Sequence, residues 1–175
     1  MIQRIIIAGS GGQGIMLLGK ILAEAAMYEN KFVTWLPAYG AEVRGGAAHC
    51  SVVISDQEIS SPLIESADIL IAMNEPSAEK FKAKLKKSGL FIVNSSLAGR
   101  HDFKGHLCPA AFTEIASKLG NPRVANMVAL GVLIARANIV NPKTVIKVME
   151  NIAPADKKEL VKINIRALEE GMGIK

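Results

Sequence analysis

The 175-residue chain predicts an α/β fold: a single domain over residues 1–175, built on a doubly wound, mainly parallel, Rossmann-like sheet, with a helical C-terminal third. Three observations carry this expectation. Short apolar runs such as Ile5-Ile6-Ile7-Ala8 are continuous rather than alternating, as in strands buried on both faces of a parallel sheet. Segments of helical period separate these runs, and past residue 121 the pattern is helical throughout. Half the residues are hydrophobic yet only 5% are aromatic, a mixture suited to small-residue helices packed on a β-branched sheet.

Residues 4–8 give the first strand. Gly9-x-Gly11-x-x-Gly14 follows, and Ile15, Leu18, Leu22, Ala25 and Ala26 then recur at helical spacing. Phe32 to Leu36 is a second strand, succeeded by the loop PAYGAEVRGGAA with four glycines or prolines in twelve residues. His49 to Ser55 reads as a strand, with a turn and a brief partner strand after it. A short helical turn at Pro62 to Ser66 leads into the strand Asp68 to Met73, then a helix Ser77 to Lys87 and a strand Leu90 to Asn94. A strand at His106 to Cys108 precedes a helix Ala110 to Lys118, with Pro109 where a missing N–H is harmless. Val124 to Ala137, Pro142 to Asn151 and Ala155 to Glu170 complete the chain as helices, the second capped by Asn141.

The net charge of +5 does not mark a nucleic-acid surface. Lys80, Lys82, Lys84, Lys86 and Lys87 accompany Glu79, and Lys157, Lys158 and Lys162 accompany Glu159, the pattern of solvated helix faces. A nucleic-acid module would need a contiguous basic face with stacking aromatics. Cys50 and Cys108 form no Cys-x-x-Cys pair, so this chain alone builds neither a zinc site nor a cysteine-held iron–sulfur cluster. With no apparent leader and no uncharged apolar run of ~18 residues, a cytoplasmic protein with reduced thiols and no membrane contact is expected.

Gly9, Gly11 and Gly14 have the spacing of a dinucleotide loop, and the helix amides behind them favour an anion. The acidic residue that should end the second strand is missing, because that strand closes on Thr34-Trp35-Leu36-Pro37. Gln13-Gly14-Ile15 likewise lacks the Lys and hydroxyl of a P-loop. The loop, Gly12 and Gln13 included, therefore serves a sharp turn, or meets another subunit or a ligand held by that subunit; a stand-alone nucleotide-binding oxidoreductase domain is the alternative reading.

The second unusual stretch is YGAEVRGG, with Tyr39, Gly40, Glu42, Arg44, Gly45 and Gly46. Arg44 offers a planar fork of donors for a carboxylate or phosphate, or a surface ion pair. Together, Gly9 to Gly14, Tyr39 to Gly46, Val52 to Ser55, ISSPLIESADILIAM and ANMVALG resemble, in order along nearly the whole chain, the gamma subunit of the 2-oxoacid:ferredoxin oxidoreductases. The resemblance implies an enzyme subunit with no catalytic residue and no independent activity. In that family coenzyme A-dependent oxidative decarboxylation of a 2-oxoacid uses thiamine diphosphate on alpha and beta subunits. Electrons pass through iron–sulfur clusters on cysteine-rich partners, such as a ferredoxin-like delta subunit, to ferredoxin. The Tyr-Gly-x-Glu-x-Arg-Gly-Gly form is closer to the 2-oxoglutarate and branched-chain types than to the pyruvate type. No cofactor is expected on this chain alone.

Asn94-Ser95-Ser96 closes a strand on the side where ligands bind in open α/β sheets, and either lines the same cleft as Gly11 or caps a turn. His49 reads as a strand-face packing residue rather than a general base, since no partner stands at a telling spacing, and Cys108 as a buried small residue.

Overall fold

The computed structural model describes residues 1–39, 47–154 and 158–174. Its elements are β1 (Ile2–Ser10), α1 (Ile15–Tyr28), β2 (Phe32–Tyr39), β3 (Ala47–Ser55), β4 (Ala67–Ala72), α2 (Glu75–Lys82), β5 (Leu85–Asn94) and β6 (His106–Ala110), then α3 (Phe112–Lys118), α4 (Ala125–Ala137), α5 (Pro142–Ile152) and α6 (Lys158–Met172). A 3-10 turn, Pro122–Val124, leads into α4.

The six strands lie in the order β2-β3-β1-β4-β5-β6. β1, β4, β5 and β6 pair in parallel, while β3 runs antiparallel to both β1 and β2. The sheet is thus mostly parallel, as the apolar runs predict, with one reversed strand. β3 pairs with β1 along its whole length, from Ile2↔Ser55 to Ser10↔Ala47. It takes the place beside β1 that the second strand holds in a dinucleotide-binding fold.

Side-chain alternation explains the continuous apolar runs. Ile5, Ile7, Val52, Ile54, Ile69, Ile71 and Ile92 face one core with α1 and α3 to α6. Ile6, Ala8, Val53, Leu70, Ala72, Phe91 and Val93 face the other, under Ala78 and Phe81 of α2. β1, β4 and β5 are covered on both sides over these residues, so each reads there as an unbroken apolar run.

Several boundaries differ from expectation. Residues 62–66 form no helix; Ile64 simply tucks into the second core. Helix α2 begins with Glu75, behind Asn74 as its cap, and stops at Lys82. Lys86 and Lys87 belong to β5, because Leu85 already pairs with Ala67 before a bulge resets the register at Ile69↔Leu90. Pro109 lies within β6, an edge strand where a missing donor is tolerated, and not at a helix start. Among the described residues no helix is long and apolar enough to cross a membrane.

Helix α4 is buried at every position from Ala125 to Ile134, and it meets α6 backbone to backbone. A Cβ on Gly131 would stand 2.9 Å from both Gly171 Cα and Met172 N, and closer still to the Leu168 carbonyl oxygen. Gly131→Ala is therefore expected to destabilise the fold by about 1–3 kcal/mol, seen as a lowered midpoint in urea. Gly173→Ala, whose Cβ finds its nearest atom at 3.5 Å, should cost much less.

Candidate functional site

The chain leaves β1 through α1 towards one side of the sheet, and leaves β4 through α2 towards the other. The crevice beyond the C-terminal ends of β1 and β4 is thus the switch point at which open α/β sheets bind ligands. Gly9 and Ser10 end β1 there, Met73 and Asn74 follow β4, and Asn94 ends β5.

The glycine loop is held from within. Gln13 folds back so that its Oε1 accepts the Ser10 N–H at 2.7 Å, while its Nε2 donates to the Met73 carbonyl at 3.3 Å. Asn74 donates through Nδ2 to Ser10 Oγ at 2.7 Å and to Gln13 Oε1 at 3.2 Å, and its Oδ1 caps α2 by accepting from Ser77 N. Buried Asn94 donates to the same Met73 carbonyl at 3.1 Å and to Thr113 Oγ1 at 3.0 Å. One network of neutral amides and hydroxyls ties together the ends of β1, β4 and β5.

Two glycines have steric reasons of their own. A Cβ on Gly9 would meet Gln13 Oε1 at 2.6 Å and Ile15 Cδ1 at 2.7 Å. Gly14 caps α1 in the left-handed region at φ 71°, and a Cβ there would strike the Asn126 amide, which donates to the Gly14 carbonyl.

Beside the loop lies a cavity of about 200 Å³, bordered by Gly12, Gln13, Met73, Leu97, Thr113 and Arg123. That is smaller than the ~300–1,000 Å³ usual for small-molecule and cofactor pockets. Its lining carries one charged group, Arg123, and no carboxylate, histidine or thiol. It can position a neutral or anionic group by hydrogen bonding, but offers no nucleophile with a base. The Ser10 amide, one of the loop's backbone donors, is already spent on Gln13.

The structure brings Gly9, Gly11, Gly12, Gln13, Gly14 and Asn94 to this one corner. Ser95 faces a different, larger cavity of about 630 Å³ with Arg100 and His101. Tyr39 ends β2 and is 73% exposed. It pairs with Ala48, which pairs in turn with Gly9, so all three share one row across the sheet. Gly40, Glu42, Arg44, Gly45 and Gly46 lie outside the described residues.

His49 packs against the Phe81 ring, centroids 4.7 Å apart, as a strand-face residue. Burial, then the Lys80 and Lys84 ammoniums, hold its pKa below the usual 6.5. Burial likewise raises the Cys50 thiol to about 12, against a weaker opposing hydrogen bond with Trp35. A thiol so protonated is inert.

Residues 4–174 match the sequence profile described as pyruvate ferredoxin/flavodoxin oxidoreductase. The chain belongs to this family. Within it, the chain is 36% identical over 168 residues to the ketoisovalerate oxidoreductase subunit VorA of Methanothermobacter thermautotrophicus, covering 96% of this chain but only 35% of that one. It therefore spans about a third of the length of that relative. It is also 36% identical over 178 residues to the 2-oxoglutarate synthase subunit KorC of Methanocaldococcus jannaschii, with 98% and 92% of the two chains covered. The crystal structure of a keto/oxoacid ferredoxin oxidoreductase gamma subunit from Geobacter sulfurreducens superposes with TM-score 0.83 at 31% identity, over 97% and 95% of the chains.

Asn74, Thr113 and Asn126 belong to this family member's corner but escape a reading by glycine spacing. Only Asn74 carried a signal, since Asn74-Glu75-Pro76 after an apolar run is a helix start.

Two outcomes follow. Calorimetric titration of the chain with NAD or NADP should give at most weak binding; a dissociation constant on the order of 1 μM, about 8 kcal/mol, would contradict the loop geometry. Unfolded His49 binds its proton near the usual 6.5 while the folded site resists to lower pH, so the unfolded state holds more protons in that window. Stability measured in urea should accordingly fall as the pH drops below 6.5, and fall less in His49→Gln.

Proposed function

We propose that this chain, folding as one domain, is the gamma-type subunit of a cytoplasmic 2-oxoacid:ferredoxin oxidoreductase that forms an acyl-coenzyme A, with 2-oxoglutarate as its substrate. The end-to-end correspondence with a 2-oxoglutarate synthase subunit carries this reading. In it, alpha and beta subunits hold thiamine diphosphate, a ferredoxin-like subunit holds the iron–sulfur clusters, and ferredoxin takes the electrons.

The residues of this chain do not fit those groups. Cys50 is on β3 and Cys108 on β6, four strand positions apart, or roughly 19 Å at ~4.8 Å per strand. Two such separated thiols cannot ligate one cluster. The cleft offers no carboxylate for the magnesium that would accompany a diphosphate. Thiamine diphosphate, where it is bound, supplies the stabilisation of the carbanion left by decarboxylation; this chain supplies a surface on which the other subunits close.

That surface is the sheet edge where Gly9 to Gly14 and the ends of β2 and β3 stand in neighbouring rows. Arg44 belongs to the segment joining Tyr39 to Ala47. Its partner in this reading is a carboxylate of the alpha or beta subunit, or a coenzyme A phosphate crossing the interface.

Purification at native expression should bring down thiamine-binding alpha and beta subunits; recovery of the chain alone would count against the proposal. Arg44→Ala should leave the melting temperature of the free subunit nearly unchanged while costing roughly 2–5 kcal/mol in subunit association or coenzyme A affinity. A reconstituted variant that assembles and turns over like the parent, or a free subunit that unfolds, would sink this role for Arg44.

A further inference from the structure

On the far side of Asn74 from the glycine loop, three side chains converge from two elements. Glu75 and Glu79 are one helical turn apart on the same face of α2, and His101 comes from the crossover between β5 and β6. One donor atom from each lies within 4.8 Å of the other two.

The histidine makes this more than an acidic patch. Its side chain is 2% exposed, with the ring fixed edge-on against Phe91 at 5.4 Å. Its Nε2 stands 3.3 Å from Glu75 Oε2, yet is a buried nitrogen with no hydrogen-bond partner. The oxygen lies within reach but off the nitrogen's bonding axis. Two ligand atoms of one ion stand at such a separation with no hydrogen bond between them. Ligands about 2.0–2.2 Å from a tetrahedral ion are about 3.3–3.6 Å apart, which the observed separation matches.

We propose that Glu75, Glu79 and His101 form a binding site for a divalent transition-metal ion of the zinc, cobalt or manganese class. One imidazole and two carboxylates make a borderline-hard donor set that suits such ions. Glu75 is already oriented, because its Oε2 accepts the Gly99 N–H at 2.6 Å. Glu79, 69% exposed and with a carboxylate oxygen in the same cluster of donor atoms, closes on the ion by a change of surface rotamer. Arg100 borders the adjoining cavity, so the two carboxylates outnumber the one guanidinium beside them, which favours a cation. Lys80, next in sequence to Glu79, is turned instead over the Phe81 ring. Because Glu75 and Glu79 stay partly exposed, the ion keeps a position open to water or an outside ligand. The bound ion cross-links α2 to the β5–β6 crossover, directly behind the Asn74 cap.

Titration of the full chain with cobalt chloride, followed by visible absorption and calorimetry, tests this. One Co²⁺ per chain with a dissociation constant below about 1 mM is expected, with Zn²⁺ displacing it and the metal raising the melting temperature. Glu75→Gln, which keeps an acceptor for Gly99, and Glu79→Gln, at the surface, should each weaken binding by roughly tenfold or more, as should His101→Ala if it folds. Binding weaker than 1 mM, or equal binding by parent and both Gln variants, would overturn the site and leave His101 as an ion-pair partner of the two glutamates.

Discussion

The Gln13 side chain, returned onto the Ser10 amide, sets the shape of the glycine loop. A loop that cradles phosphate leaves its backbone donors free, and pays for this by waiting for the anion. Here one such donor, the Ser10 N–H, is satisfied by Gln13 Oε1, and the Nε2 of the same Gln13 side chain reaches across to the Met73 carbonyl at the end of β4. Strands β1 and β4 part company at this point of the sheet, and the polar bridge between their ends fixes the shape of the switch point. Gly9 has no Cβ because Gln13 and Ile15 fill its place, and Gly14 has none because Asn126 fills the other. The fingerprint spacing therefore has steric reasons of its own, in a sharp turn and a tight helix.

How much of this was legible in the sequence depends on which forces set each element. β1, β4 and β5 were plain, since burial on both faces turns a strand into an unbroken apolar run. The cap at Asn141 and the helix behind it were plain too, because capping is local chemistry. What was hidden is non-local. His49 to Ser55 reads the same whether it lies at an edge or, as it does, between β1 and β2. Leu85 belongs to a strand only because Ala67 is there to pair with it. To look for an acid after Leu36 is to look for the fingerprint in the wrong place. β2 is not next to β1, so an acid there would not have faced the loop as the fingerprint requires.

The site divides in the same way. Glycine spacing drew attention to the corner, and the corner is real, but the residues that finish it, Asn74, Asn94 and Thr113, come from three later connections. Of these only Asn94 was singled out, from its place at a strand end. The acidic pair Glu75 and Glu79 was invisible as a site because His101 enters from 22 residues further on, and nothing but the fold sets it against them.

The outer edge of the sheet adds a physical argument to the family relationship. β2 is an edge strand, and Phe32, Trp35, Leu36 and Tyr39 along it are all more than a third exposed. Exposed edges carrying large apolar side chains invite pairing with other chains, and proteins that remain alone blunt them with charge. Only Pro37 interrupts this one, and β2 itself contains no charged residue. In the ketoisovalerate oxidoreductase relative the matching stretch is about a third of the polypeptide and so stands beside further chain. An unblunted edge is tolerable for a module that is covered soon after synthesis. Left uncovered, the edge is a liability for the free chain.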